Sequence, residues 1–399
     1  MNTRRLIPLP LVCLFAACVG APPPDEDAPG RNAGALTADD ESPEPQIVEP
    51  VHNQTQLDPD DTYAEPSATE PLPVGARLDL RSEFETLVTP YVVQRLTERT
   101  YYIAINVYAV TAYVGDEGVL LIDTGGHGGP DEVQALLEAL QSITPLPVTA
   151  IALSHPHTDH VGHSLALTEA FPGVEIIGTK WLAEQIDMYD YPIARPTQIV
   201  RRRNGSFIFE GRRFRMVTPV PVAHTPADSY VITPDRVMHV VDFVHAGRLT
   251  FVEASVVQNM DGLVRMLRHL AGEEGNYDYI NVGHLNVAYA RDVTRALDYY
   301  HALYVTWWEV MQELSPDDFV DPTEDNAGVW FRNFFDAVAE RMFYKVAPEF
   351  GHVRFFELAR DHASKVHENQ FLHRLNTTDR PSFGEIPDFA PIAPRRTGP

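Results

Sequence analysis

Seven consecutive residues constrain this chain more than any other stretch: Ser154-His155-Pro156-His157-Thr158-Asp159-His160. They follow the apolar run 148–153, which has the length and composition of a buried strand. Pro156 offers no N–H to a ladder, so the strand ends and the chain turns. His155 and His157 are two apart, and in extended chain they project to the same side. Asp159 and His160 come next, where a helix through 165–170 is expected to begin. Three imidazoles and a carboxylate at this spacing suit zinc or a similar transition metal. The plain alternative is a polar loop that happens to be rich in histidine. The tight spacing and the partner residues downstream argue against it.

His-x-His-x-Asp-His after a strand resembles the signature of the metallo-β-lactamase superfamily. Four further stretches resemble its other motifs, in the expected order. Gly118-Val119-Leu120-Leu121-Ile122-Asp123-Thr124-Gly125 lies upstream. Ala223-His224-Thr225-Pro226 resembles a Gly-His-Thr-Pro motif. Val240-Val241-Asp242 ends a strand where the family places a bridging aspartate, and Gly283-His284 resembles the final ligand. The resemblance implies an α/β chain folded as an αββα sandwich, here with a helical C-terminal extension. It also implies two divalent metal ions, zinc foremost, with iron or manganese as alternatives. His155, His157 and His224 would hold one ion, and Asp159, His160 and His284 the other. Asp242 would bridge them. Asp123 would support the site from behind by hydrogen bonds, and Asp159 would also orient the attacking water.

The chemistry so implied is hydrolysis of an ester, lactone, thioester or amide-like bond in a small molecule. Zinc β-lactamases proper generally lack the bridging aspartate, so Asp242 points to the broader hydrolase branch, with β-lactam cleavage as an alternative. A mononuclear-iron persulfide dioxygenase is the rival from another class, and it would need only His155, His224 and Asp242. The family's flavin-linked diiron proteins tend to carry glutamate where His157 stands. A metal-free binding lipoprotein would be expected to have lost ligands. Three departures from the family pattern bear on the outer wall of the pocket. Ala223 and Ala227-Asp228 stand where glycines are usual, and Leu285 follows His284 where a glycine is common.

The chain ends read differently. Arg4 and Arg5 followed by the apolar run 6–17 form a targeting segment over 1–18, too short to span a bilayer. Small residues before Cys18 resemble a bacterial lipoprotein signal, with lipid on the Cys18 sulfur. That implies a lipid-anchored protein of the cell envelope, at the outer membrane and facing the periplasm. Cys13 and Cys18 are the only cysteines, so the mature domain has none for a disulfide, a nucleophile or a metal. Residues 19–75 hold 11 prolines and 13 acidic residues against one arginine. Such a segment cannot offset its ordering entropy by burial, and it reads as an extended acidic tether. The net charge of −25 disfavours nucleic acid and anionic membrane surfaces as partners.

Between the motifs, strands are expected at 92–96, 101–114, 119–122, 174–177, 220–222, 230–232, 237–241 and 279–282. A hairpin is expected over 207–217, and helices at 130–143 and 180–189. The catalytic domain is taken as 76–300. The extension, 301–399, should carry helices at 293–314, 327–346 and 355–366, broken at Ser315-Pro316 and Pro348. Trp307, Trp308, Trp330, Phe331, Phe334, Phe335 and Phe343 make that region aromatic. It would serve as packing on the sandwich, as a lid, or as the surface of an oligomer. His239, alone in a strand, reads as a packed histidine. His127 in the glycine loop, and His245 and Arg248 beyond Asp242, are candidates to face the pocket.

Overall fold

A computed structural model describes residues 61–67, 70–78, 89–126, 129–249, 256–351, 353 and 356–375. The expectations for the signal segment, Cys18, most of the tether, His127 and 379–399 lie outside these residues.

A short parallel ladder of β1 (Tyr63–Ala64) and β2 (Arg77–Leu78) precedes the first sheet. That sheet runs in chain order through β3 (Val92–Arg95), β4 (Thr100–Ile105), β5 (Tyr108–Val114), β6 (Val119–Ile122), β7 (Val148–Ala152), β8 (Glu175–Thr179) and β9 (Gln198–Val200). The strands are antiparallel up to β6 and parallel from there on. Parallel neighbours need crossovers. These are α1 (Pro130–Ile143), then α2 (Thr158–Val161) with α3 (Ser164–Ala170), then α4 (Lys180–Tyr189). The second sheet follows as β10 (Asn204–Phe209), β11 (Arg212–Val217), β12 (Tyr230–Ile232), β13 (Val237–His239), β14 (Tyr279–Asn281) and β15 (Val287–Ala288). Helix α5 (Met260–Gly272) makes its one parallel crossover, from β13 to β14. Three helices close the described chain: α6 (Ala290–Glu313), α7 (Ala327–Phe350) and α8 (Ala359–Leu375).

Side-chain alternation turns the sheets into layers. Leu120, Ile122, Ala150, Ala152 and Ile177 face the second sheet and meet Phe207, Phe214, Met216 and Val231. Their neighbours Val119, Leu121 and Ile151 face the other way, onto Leu136, Leu140 and Leu182 of the helices. Both faces are dry, which is why these strands read as continuous apolar runs. The second sheet is covered on its outer face by α5–α8, and the fold is the αββα sandwich with a helical C-terminal part.

Several expectations change. The strand expected at 101–114 is a hairpin: Ile105 pairs with Tyr108, and Asn106-Val107 form the turn. Asn106 takes the left-handed φ of 57°, which asparagine tolerates better than most residues. Residues 220–222 are an irregular loop, because Pro219 and Pro221 each remove a ladder donor. Pro348 lies within the last turn of α7 and forfeits one backbone bond, yet the helix continues to Phe350. Helix α5 has no counterpart in the sequence reading. Gly262 in its first turn resembles a breaker, but a Cβ there would strike the backbone oxygen of Val222.

The expected domain boundary at 300 falls in the middle of α6. Trp307, Phe334, Val338 and Met342 share one buried cluster with Met260, Leu267, Ile280 and Tyr300. The helical part is therefore packing on the sandwich, with a core in common. The end of the expected tether is also part of the fold. Leu72 is buried and its N–H donates to Val93 O at 2.8 Å. Asp61 pairs with Arg77 and Arg291, and Arg77 reaches Asp292 at 2.7 Å. Arg77 is almost fully buried, and a buried guanidinium needs such carboxylates around it. No helix among the described residues is long and apolar enough to cross a membrane.

Candidate metal centre

The seven predicted ligands come from the segment around α2 and from three loops, and the structure brings all seven to one place. His155 and His157 lie between β7 and α2, and Asp159 and His160 lie within α2. His224 is on the loop from β11 to β12. Asp242 follows β13, and His284 follows β14. Two groups form: His155, His157, His224 and Asp242; and Asp159, His160 and His284. Within each group one donor atom per residue lies within 4.8 Å of the others.

Asp242 stands between the two groups. Its Oδ2 lies 3.3 Å from His155 Nε2 and 3.2 Å from His224 Nε2. The same oxygen is 3.1 Å from His160 Nε2, while Oδ1 lies 2.9 Å from His284 Nε2. Asp159 Oδ2 is 3.2 Å from His160 Nε2 and 3.6 Å from His284 Nε2. His224 Nε2 and His157 Nδ1 face each other at 2.8 Å. Only one proton fits between two such nitrogens, and His155 Nε2 is buried without a hydrogen-bond partner. Buried imidazole nitrogens and carboxylate oxygens converging on one point are costly unless a cation sits among them. The donor set fits a divalent metal site on chemical grounds: imidazole nitrogens and hard carboxylate oxygens in closed groups.

The electrostatics agree. Burial, reinforced by His155 and His224, pushes His157 down to about 3, so at neutral pH it offers a lone pair. Burial alone would raise Asp242, but His160 and His224 outweigh it and hold the carboxyl well below its usual range. Asp159 behaves likewise: burial opposes ionisation, and His160 overcomes it. Burial opposes a charge on His160 too, and the two aspartates overcome that. Both carboxylates are thus anions facing the point where a cation would sit.

Left-handed backbone marks the site. Asp123, Asp242 and Leu285 have φ of 61°, 68° and 57°. Such conformations cost non-glycine residues about 1–2 kcal/mol each and persist where the surroundings over-determine them. At Leu285 this explains the family's glycine, and the N–H of Leu285 is held by Val107 O at 3.0 Å. Gly283 has φ 80°, and a Cβ there would run into Val241 and His160.

Supporting residues were less visible in sequence. Asp123 lies behind the site: Oδ1 accepts from Ser154 N at 2.8 Å, and Oδ2 from Ser154 Oγ at 2.7 Å. The loop after Asp123 donates from Thr124 N and Gly125 N to His160 O, both at 2.8 Å. Asp228, seen in sequence only as a missing glycine, is buried and clamps the His224 loop. Its carboxylate accepts from Thr225 N at 2.8 Å and Thr225 Oγ1 at 2.6 Å. Tyr108, at the tip of the unforeseen hairpin, sets its ring edge-on to His284, with centroids 5.4 Å apart. His245 is buried with its ring 5.7 Å from that of His284, and burial and Arg248 push its pKa well down. Period and composition carry no signal for such contacts, since each depends on the hairpin or loop geometry.

Comparison with known proteins bears on the family and the fold. The chain is 30% identical over 128 residues to coenzyme F420H(2) oxidase of Methanothermobacter marburgensis, a stretch covering 32% of this chain and 31% of the oxidase. It therefore spans about a third of that relative's length. Among solved structures, a double mutant of the sec-alkyl sulfatase PisA1 superposes with a TM-score of 0.52 at 11% identity, covering 71% of this chain and 52% of the sulfatase. A metallo-beta-lactamase from Pontibacter korlensis gives 0.45 at 16% identity, over 52% of this chain and 97% of that one. The family model described as Metallo-beta-lactamase superfamily matches residues 102–320, a span that holds all seven candidate ligands. With more than half of its length matched and the fold in agreement, the chain belongs to the metallo-beta-lactamase superfamily.

Proposed function

We propose that this protein is a metal-dependent hydrolase holding two divalent ions, zinc foremost. His155, His157 and His224 would take one ion, and Asp159, His160 and His284 the other. The observation that carries the reading is Asp242, whose Oδ2 lies within 3.3 Å of imidazole nitrogens from both triads while Oδ1 lies 2.9 Å from His284 Nε2. Such a pair of ions, when bound, lowers the pKa of a water towards ~7 and stabilises a developing oxyanion. The chain's own residues do the rest. Asp159 is the more exposed carboxylate of the two and stays ionised, so it can accept a hydrogen bond from the attacking water and orient it. Tyr108 and His245 flank His284 and give the substrate an aromatic wall on that side. The bond cleaved would be an ester, lactone, thioester or amide-like bond.

A second reading, oxidation rather than hydrolysis, draws support from the partial match to a protein named an oxidase, and in its single-iron form it would need only His155, His224 and Asp242. The two separate in one experiment. Zinc-loaded and iron-loaded protein is offered lactone, ester, thioester, β-lactam and sulfate-ester substrates, and separately a persulfide in an oxygen electrode. The hydrolase reading expects metal-dependent cleavage of a carbonyl ester class and no oxygen uptake. Oxygen uptake by the iron form that survives His284→Ala would replace it with the second reading.

The lipid anchor on Cys18 belongs to the same proposal. Cys18→Ala should release the protein from the membrane fraction or leave the signal uncleaved, and a cleaved variant that stays on membranes would refute it.

A further inference from the structure

A file of buried polar side chains crosses the sandwich and ends on His155. It starts at Asn281 in β14, where Oδ1 accepts from Gly283 N at 3.0 Å. That bond fixes the amide's orientation, so Nδ2 is the end that donates to Thr111 Oγ1, at 2.9 Å. Thr111 has one proton of its own and donates it to His239 Nδ1, also at 2.9 Å. His239 must then carry its proton on Nε2, which meets Asp123 Oδ2 at 2.9 Å. Ser154 Oγ donates to the same oxygen at 2.7 Å, a bond strengthened by the carboxylate charge. The lone pair of Ser154 Oγ therefore faces His155 Nδ1, 3.1 Å away. Asn281, Thr111, His239, Asp123, Ser154 and His155 are all essentially buried, so no water competes for these bonds.

We infer that His239 is a positioning residue for the metal centre: through Asp123 and Ser154 it holds His155 in the Nδ1–H tautomer. The Nε2 lone pair is thereby aimed at Asp242 and the first triad. In water a free histidine prefers its proton on Nε2, so the protein has to impose the other tautomer. The donors run from both ends of the file towards Asp123, and each link has one consistent assignment. Without His239, the buried carboxylate of Asp123 is one donor short. Asp123 must then shift to find another donor and draws Ser154 with it, so the bond that holds the proton on His155 Nδ1 and aims the ring is lost. This inference rests on the two-metal reading above.

The test uses the full-length protein, stripped of metal and titrated with zinc against a competing chelator. His239→Phe keeps the ring shape and loses the donor, and His239→Gln keeps an amide donor. Ser154→Ala breaks the link next to His155 without touching His239, which keeps the test decisive should the phenylalanine variant misfold. Weakening of about 10–100-fold is expected for the first zinc in His239→Phe and Ser154→Ala. Binding of the second zinc should be unchanged, and His239→Gln should recover most of the loss. Long-range 1H–15N spectra of histidine-labelled, metal-free protein should show His155 protonated on Nδ1. First-site affinity equal to wild type in both weakened variants, or His155 protonated on Nε2 in the wild type, overturns the inference and leaves the two-metal reading standing. A wild-type protein that takes up no zinc overturns both.

Discussion

The metal centre and the helical layer bury histidines to the same depth and use them in opposite ways. His155 and His160 are 2% and 1% exposed, and His362 and His367 are 0%. In the helical layer each imidazole is paired with a different kind of neighbour. His362 Nδ1 meets Tyr299 OH at 2.8 Å, and His367 Nδ1 accepts from Trp307 Nε1 at 3.0 Å. The His367 ring also packs 4.2 Å from Phe335. In the centre, nitrogens face other nitrogens and carboxylates. Burial alone therefore does not mark a ligand. Convergence on a shared point does, and it costs stability that only a bound cation returns.

The largest expected effect separates the two regions directly. Asp242→Asn removes the shared charge with little change of shape. Activity should fall on the order of 10^3-fold or more, with metal content reduced at both positions. The metal-free variant should be less stable than wild type, because His160 and His224 lose the carboxylate that they hold ionised. A variant that loses this stability yet keeps its full metal content would mean that Asp242 is an ordinary structural ion pair. Trp307→Ala is the converse. It should cost about 3–5 kcal/mol in denaturant unfolding while metal per chain stays at the wild-type value. Loss of metal in the folded variant would show that the helical layer shapes the centre.

How much of this was legible in the sequence follows the same division. Four ligands sit in one short motif, and spacing along the chain is enough to find them. His224, Asp242 and His284 depend on family resemblance, since a lone residue on a loop carries no pattern. Asp228 and Tyr108 act through contacts that arise only when distant loops meet, so no periodicity announces them. His239 reads from sequence as a packed histidine, which it is, and only the folded chain connects it to His155. Helix α5 has a clear helical stripe, but Gly262 obscured it, because sequence does not show the close approach that requires a glycine.

Smaller effects sharpen the comparison. Burial pushes His367 down to about 4 from its ordinary 6.5, so the folded state favours the neutral ring. As pH falls below 6.5 the unfolded chain takes up this proton and the folded one does not. The associated stability is complete above that pH, is lost as pH drops, and levels off below about 4. A loss on the order of 3 kcal/mol is expected across the window. His367→Phe should flatten this part of the stability profile measured by denaturant titration, and an unchanged profile would mean the ring is already charged. Phe331, 48% exposed on α7, should matter least. Phe331→Ser should change stability by no more than about 0.5 kcal/mol. A shift in sedimentation from oligomer to monomer would identify that end of α7 as an interface between copies.

The central claim is a two-ion centre divided by Asp242, and metal counting tests it most directly. Full-length protein, wild type and His284→Ala, is purified aerobically and its bound metal is measured by mass spectrometry. The account predicts about two divalent ions per wild-type chain and about one in the variant, with activity lost along with the second ion. A single ion per chain in both proteins, with activity unchanged, would contradict it.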